Sequence, residues 1–335
     1  MARRFFLHIV RFLPFTLLRK LANRSLIGIN YHSIAGEDAD PVINKNIYRS
    51  KNEFEADIQF LMKHFDVISP DELLQATGSV QKGNKPKVFL TFDDGLAIQY
   101  HSMVPILKKY NLKAIFFINP SFIDNKELHY KRKINHLYQL LENKQVNEVR
   151  DKWESLFASI GIEPSFTVSD LYRVSYKDAS IIDRLAKLFD ISFADVLEQQ
   201  AVYITSEQIR EMISDGFYFG GHSMDHPNYS ELNVDKQIAQ SIESTRWVLD
   251  TFGLKYALFA FPMNDQKISR HVIEQIHKEV DLSFGINGMM DDFTHRHIPR
   301  ITVEQTGKSI RQCLKYEYLK YIFLRLKNGK IYRRP

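Results

Sequence analysis

A single cysteine, Cys313, is present among the 335 residues. The chain therefore cannot close an intramolecular disulfide or build a metal site from thiolates alone. Any metal must be held mainly by imidazoles and carboxylates, for which 12 histidines and 40 Asp and Glu are available. Apolar runs long enough to span a bilayer are also missing. The most membrane-like stretch, "MARRFFLHIVRFLPFTLLRK", is broken by His8, Arg11 and Pro14, and no small-residue cleavage site follows it. The expectation is a basic amphipathic segment over 1–26, either lying on an anionic surface or packed on the domain as a helix. Aromatic-and-basic RNA-binding motifs, zinc fingers, repeats and low-complexity tracts are absent, so no nucleic-acid partner is expected.

What remains is ordinary globular material, 44% hydrophobic and 25% charged, enough for one large domain or two small ones. Charge is unevenly placed. Residues 1–26 hold six Lys/Arg and no acid, and residues 306–335 hold nine Lys/Arg and one Glu. The whole chain is only +5, so the middle carries a net −9 and the basicity belongs to the two ends. Both ends mix cations with Phe, Leu and Ile. Without a cleavage site, the expected location is cytoplasmic, with peripheral contact to the anionic inner face of a membrane as the accompanying expectation.

Periodicity gives the organisation. "SLIGINYHSI" reads as a first strand with Tyr31 and His32 at its end. Phe54, Ile58, Leu61, Met62 and Phe65 have helical spacing. "SPDELLQAT" is a helix with Ser69 as N-cap and Pro70 in its first turn. "KVFLTF" and "KAIFFIN" are buried strands separated by the helix "MVPILKKYN". This β-α-β rhythm predicts a parallel sheet or barrel over 27–121. Residues 122–204 are mostly helical and too long for a simple connection, so they read as an inserted helical subdomain. The rhythm returns over 205–305, beginning with the capped helix "TSEQIREMISDG" and continuing through "FYFGGHS", "YALFAFP" and "LSFGIN".

Two motifs carry the chemistry. In "LTFDDG" (90–95), Asp93 and Asp94 stand side by side at the end of an apolar strand. Adjacent carboxylates repel and need a cation, a proton or solvent. An Asp-Asp-Gly turn would also account for them. In "GGHSMDHPNYSEL" (220–232), His222 and His226 lie four apart at another strand end. Structural or surface histidines share that spacing. In α/β barrels, however, the C-terminal strand ends share one face, where active sites are built. Two imidazoles, one carboxylate and an open position make a hydrolytic zinc site, and the second carboxylate could then handle protons.

Together "VFLTFDDG", "KAIFFI", "YITSEQIREMISDGFYFGGHSMDHPNYSEL" and "FAFP" resemble the polysaccharide deacetylases (carbohydrate esterase family 4, the NodB-homology domain). The resemblance covers about 27–121 and 205–303 and implies a distorted (β/α) barrel; the inserted helical subdomain over 122–204 and the basic ends lie outside the family core. It implies hydrolysis of N-acetyl, sometimes O-acetyl, groups on sugars, with a divalent metal ion, Zn²⁺ by preference, that activates water and polarises the acetyl carbonyl. By the same resemblance Asp93 is the general base, and Asp94, His222 and His226 are the metal ligands. A backbone N–H near 259–264, such as that of Met263, would complete an oxyanion hole. The partner implied is an N-acetylated sugar, polymeric or lipid-linked.

The chain departs from the family pattern twice. The arginine that often precedes the third motif's proline is absent from Phe259-Ala260-Phe261-Pro262; "HIPRI" (297–301) offers Arg300 in its place. The terminal leucine-x-histidine that supplies a general acid is not evident; His295 and His297 are the candidates, and exposed loop histidines are the plain alternative. His32 reads as a structural rim residue that could line the cleft. The insert's His129 and His136 lack partnered spacing, so the insert is expected to shape the cleft rather than bind metal. The rival readings are a carbohydrate-binding protein that kept its metal site but lost turnover, and a metal-dependent hydrolase of another amide or ester.

Overall fold

The strand segments are short and apolar on both faces, which suits parallel strands covered inside and out. In the computed structural model they are β1 (Leu26–Tyr31), β4 (Asp66–Val67), β5 (Lys87–Phe92), β6 (Ile115–Ile118), β7 (Tyr218–Gly221), β8 (Leu258–Ala260), β9 (Leu282–Gly285) and β10 (His297–Thr302). β2 (Ile34–Ala35) and β3 (Arg49–Ser50) form a separate pair. The large sheet runs β1-β10-β9-β8-β7-β6-β5-β4, and β1 also pairs with β5 from Leu26↔Lys87 to Tyr31↔Phe92. Seven parallel strands thus close into a barrel. Its distortion lies at β5, whose far edge is shared: β4 takes Lys87 and Val88, and β6 takes Thr91 and Phe92. This is the distorted (β/α) barrel expected from the sequence. The structure describes residues 13–35, 49–76, 83–142, 149–304, 307–329 and 331–335, so nearly half of the basic segment 1–26 lies outside the described residues.

Side chains alternate along each strand, and that alternation positions the site. Leu26, Phe89, Phe117, Leu258, Phe284 and Ile298 share one core. Phe284 reaches the rings of Phe89 and Phe117 on non-adjacent strands, at 5.8 and 5.1 Å, so this core is the barrel interior. Ile27, Ile29, Leu90, Phe92, Phe116, Phe219 and Ile301 have the opposite parity and pack outward against the helices. Continuing the inward parity past the strand ends points His32, Asp93, Asn119 and His222 over the barrel mouth.

The surrounding helices begin where the sequence supplies caps. Ser50 with Glu53, Ser69 with Glu72, Thr205 with Gln208, and Ser309 with Gln312 form reciprocal capping boxes. Between β6 and β7, the helices Tyr130–Leu141, Arg150–Ala158, Ser180–Lys187 and Phe193–Gln199 bury Leu137, Trp153, Phe157, Leu171, Ile182 and Leu185 in a core of their own.

Candidate active site and metal centre

Asp93 is the first residue after β5 and points inward, with 2% of its surface exposed. Arg300 grips it at two points, Nη1 to Oδ1 at 2.7 Å and Nη2 to Oδ2 at 3.0 Å. Asn30 Nδ2 donates to Oδ2 at 2.8 Å. Burial alone would raise the pKa of this carboxyl. Arg300, His222 and His32 outweigh that and hold it below the ordinary carboxylate range.

Arg300 itself is fully buried inside the barrel. Its guanidinium lies 5.2 Å from the Phe117 ring centre, and Nη1 also donates to Asn30 Oδ1 and Thr91 Oγ1, each at 3.0 Å. Room for so large a side chain comes from Gly28. A β-carbon there would meet Phe89 Cζ at 2.6 Å and Arg300 Cγ at 2.8 Å.

Asp94 leaves the strand with φ +77°, which turns its side chain away from that of Asp93. Its Oδ1 faces His226 Nε2 at 3.3 Å and His222 Nε2 at 3.6 Å. The loop that carries the two histidines is bent by residues with positive φ, Ser223 (+65°) and His226 (+57°). It is fixed by Ser223 Oγ accepting from His226 N at 3.1 Å and by Asn119 Nδ2 donating to the carbonyls of His222 and Ser223.

Asp94, His222 and His226 each offer one ligand atom, and these atoms all lie within 4.8 Å of one another. Asp94 Oδ1 is buried without a hydrogen bond among the described residues, so the cluster holds an acceptor facing two imidazole nitrogens. That donor set fits a divalent cation. Burial pushes the His222 imidazole down to about 4, with Asp93 opposing and His226 adding, so it is neutral and able to bind. Asp94 is held far below its ordinary range; burial opposes, and His226, His32 and His222 prevail.

The structure separates the two residues proposed from "HIPRI". Arg300 reaches Asp93. His297 lies three positions earlier and so faces the other side of β10. It is buried outside the barrel interior, with Nε2 3.0 Å from Asp265 Oδ2 and Nδ1 2.7 Å from Ser283 Oγ. No contact joins it to Asp93 among the described residues, and strand alternation is the reason. Asp265, Asp292 and His297 also have the spacing of a metal triad, but Arg334 already bonds both carboxylates, at 2.6 and 2.7 Å.

His32 stands where His297 was expected. Its Nε2 is 3.9 Å from Asp93 Oδ2, and its Nδ1 is 2.8 Å from Glu304 Oε2. Burial would lower its pKa, but Glu304, Asp94 and Asp93 raise it to about 10. Gln99, in a π-helical turn over Gln99–Met103, donates to the carbonyls of His32 at 2.7 Å and Asp93 at 2.6 Å, tying the two strand ends together.

The insert reaches this face as well. His129, Phe122 and Tyr203 line a small cavity with Asp94 and His226. Tyr176 donates to Asp225 in the histidine loop at 2.6 Å, and Lys131 Nζ lies 3.5 Å from the sulfur of Met263. Met263 has φ +62° in the loop after β8.

Comparison with known proteins bears on the fold and the family of the chain. The family model for polysaccharide deacetylases matches residues 80–154 and 175–282. The Bacillus subtilis (strain 168) protein YxkH is 32% identical over 97 residues, which is 29% of this chain and only about a third (32%) of that relative. The deacetylase PplD of Streptococcus pyogenes, solved with acetate, superposes with a TM-score of 0.55 at 16% identity, covering 87% of this chain and 97% of that one. A de-N-acetylase from Aggregatibacter actinomycetemcomitans gives 0.55 at 16%, covering 87% and 99%. IcaB from Ammonifex degensii gives 0.53 at 15%, covering 88% and 97%. At these identities the structures establish a shared fold, and the family model adds the matched sequence: the chain belongs to the polysaccharide deacetylase family.

Proposed function

We propose that the protein is a metal-dependent hydrolase that removes N-acetyl groups from an amino sugar in a polysaccharide or a glycan precursor. The observation that carries the reading is the juxtaposition of Asp94 Oδ1, His222 Nε2 and His226 Nε2 beside an Asp93 locked by Arg300. Asp94, His222 and His226 would hold the cation, with Zn²⁺ the best match to two imidazoles and a carboxylate. When bound, it supplies Lewis acidity toward the acetyl carbonyl and lowers the pKa of water at its open position.

The remaining work falls to the chain. Asp93 stays ionised and accepts a proton from the attacking water. Arg300 holds both of its oxygens and Asn30 adds a second bond to Oδ2, so the acceptor cannot swing away. His32, kept protonated by Glu304, delivers a proton to the departing amine nitrogen. His32 Nε2 lies 3.9 Å from Asp93 Oδ2, so the proton gained by Asp93 returns to His32 through an intervening water and restores both groups. The net change is amide plus water to acetate plus amine. The backbone N–H of Met263 is the proposed oxyanion donor.

The binding-only alternative rested on a missing arginine and a missing histidine. Arg300 and His32 fill those roles in this reading, so its grounds fall away. The basic chain ends would hold the enzyme against an anionic membrane on its cytoplasmic side, near lipid-linked or polymeric glycan. The test is acetate release from N-acetylglucosamine oligomers and from nucleotide- and lipid-linked N-acetyl sugars. Release by the wild type and its loss in Asp93→Asn is the expected result. No release from any of these, or equal release by both proteins, contradicts the proposal.

A further inference from the structure

The two histidines that face Asp94 each have a second ring nitrogen, and these are treated differently. His222 Nδ1 lies 2.8 Å from the Ala260 carbonyl, a partner that orients its ring. His226 Nδ1 is buried without a hydrogen bond among the described residues. Opposite it stands His129, at the start of the first helix of the insert. The two rings lie 4.8 Å apart and nearly perpendicular, at 71°. His129 Nε2 is also buried without a partner. Two orphaned ring nitrogens, both capable of hydrogen bonding, therefore flank one cavity of about 10 Å³, about enough for a single water molecule. Asp94, Asn119, Phe122, Arg132 and Tyr203 complete its wall.

We infer that His129 is the outer hydrogen-bond partner of His226, accepting its Nδ1–H through one water in this cavity. The bond fixes His226 in the tautomer whose Nε2 faces Asp94. The backbone supports the placement, since His129 N donates to the Tyr203 hydroxyl at 3.1 Å, at the far end of the insert. His129 is thus a positioning residue, and the insert is coupled to metal affinity without supplying a ligand. This inference rests on the metal-centre reading above.

The test is zinc affinity of the full chain, freed of metal and titrated against a chromophoric chelator without substrate. His129→Leu fills the space without an acceptor, and His129→Gln restores an acceptor near the same point. Outer partners of metal-bound histidines are worth about 10–100-fold in affinity, so His129→Leu should lose that much while His129→Gln stays within about threefold of wild type. The metal-free His129→Leu protein should stay folded and melt modestly lower than wild type, because His226 Nδ1 loses its partner while a carbon side chain fills the space. Wild-type affinity in His129→Leu, or an equal loss in both variants, overturns the inference and leaves the metal centre standing. A wild type that binds no zinc overturns the metal centre and the inference with it.

Discussion

At the scale of single residues, the adjacent carboxylates Asp93 and Asp94 are tolerated because they point to different partners. Asp93 continues the inward parity of β5 into the grip of Arg300, and Asp94 turns at φ +77° toward the histidines. Replacing Arg300 by lysine keeps the charge but loses the two-point hold. Asp93 should then sit closer to its ordinary pKa. Acetate release should fall through kcat with little change in KM, and the acid limb of kcat/KM should move to higher pH. An unmoved limb would remove Arg300 from the reaction. Asp93→Asn should keep bound metal and lose about 10²–10⁴ in rate, since an amide cannot take the water's proton. His32 offers a test of another kind. Its folded pKa is raised to about 10 against about 6.5 in an unfolded chain. Its ion pair with Glu304 therefore stabilises the metal-free fold fully below about pH 6.5, and that stability is lost as pH climbs toward 10. The melting-temperature gap between chelated wild type and His32→Asn should narrow over that window; a constant gap would contradict the pairing.

Elements explain which parts of this were legible in the sequence. The strands "KVFLTF" and "KAIFFIN" and the capped helices at Ser69 and Thr205 were readable because apolar period, cap residue and length all agreed. That Asp94, His222 and His226 come together was legible because the two motifs sit at strand ends, which a parallel barrel gathers on one face. Strand alternation held more than was taken from it. His32 lies four residues after Gly28, on the same inward side, so its place beside Asp93 was available from parity. By the same count His297 and Arg300 must face opposite sides of β10, and they cannot both meet Asp93. The part played by His129 was not legible, because nothing local in 122–204 marks it; only the docking of the insert brings it to His226. One element-level prediction follows from Gly28. An alanine there would press on Phe89 and on Arg300, so Gly28→Ala should cost about 1–3 kcal/mol in stability and lower turnover together. Wild-type melting and rate would mean that Arg300 does not depend on that gap.

At the scale of the whole molecule, the described parts of the two basic chain ends pack together. The helices Phe15–Ala22 and Ile310–Asn328 lie against each other, with Phe15 5.8 Å from Tyr318 and Arg24 stacked 5.3 Å over Tyr321. They spend Leu18, Leu314 and Tyr318 on the core and leave Leu17, Leu21 and Leu326 outside beside Arg and Lys. No helix among the described residues is long and apolar enough to cross a membrane. The proposed contact of the basic ends with an anionic membrane would be salt-sensitive, each cation near the surface being worth up to about 1 kcal/mol. Co-sedimentation with anionic vesicles should be strong at low salt and weak at high salt. It should fall when Leu17, Leu21 and Leu326 are changed to Ser; negligible binding at low salt would end the membrane reading. The claim on which the rest depends is the metal-dependent reaction at the barrel mouth. Its most direct test is to strip the protein with a chelator, return zinc in steps and follow acetate release. Activity should be lost on chelation and should rise linearly to a break at about one zinc per chain, with no recovery in His222→Ala. Undiminished acetate release after metal removal, or full recovery in His222→Ala, would contradict it.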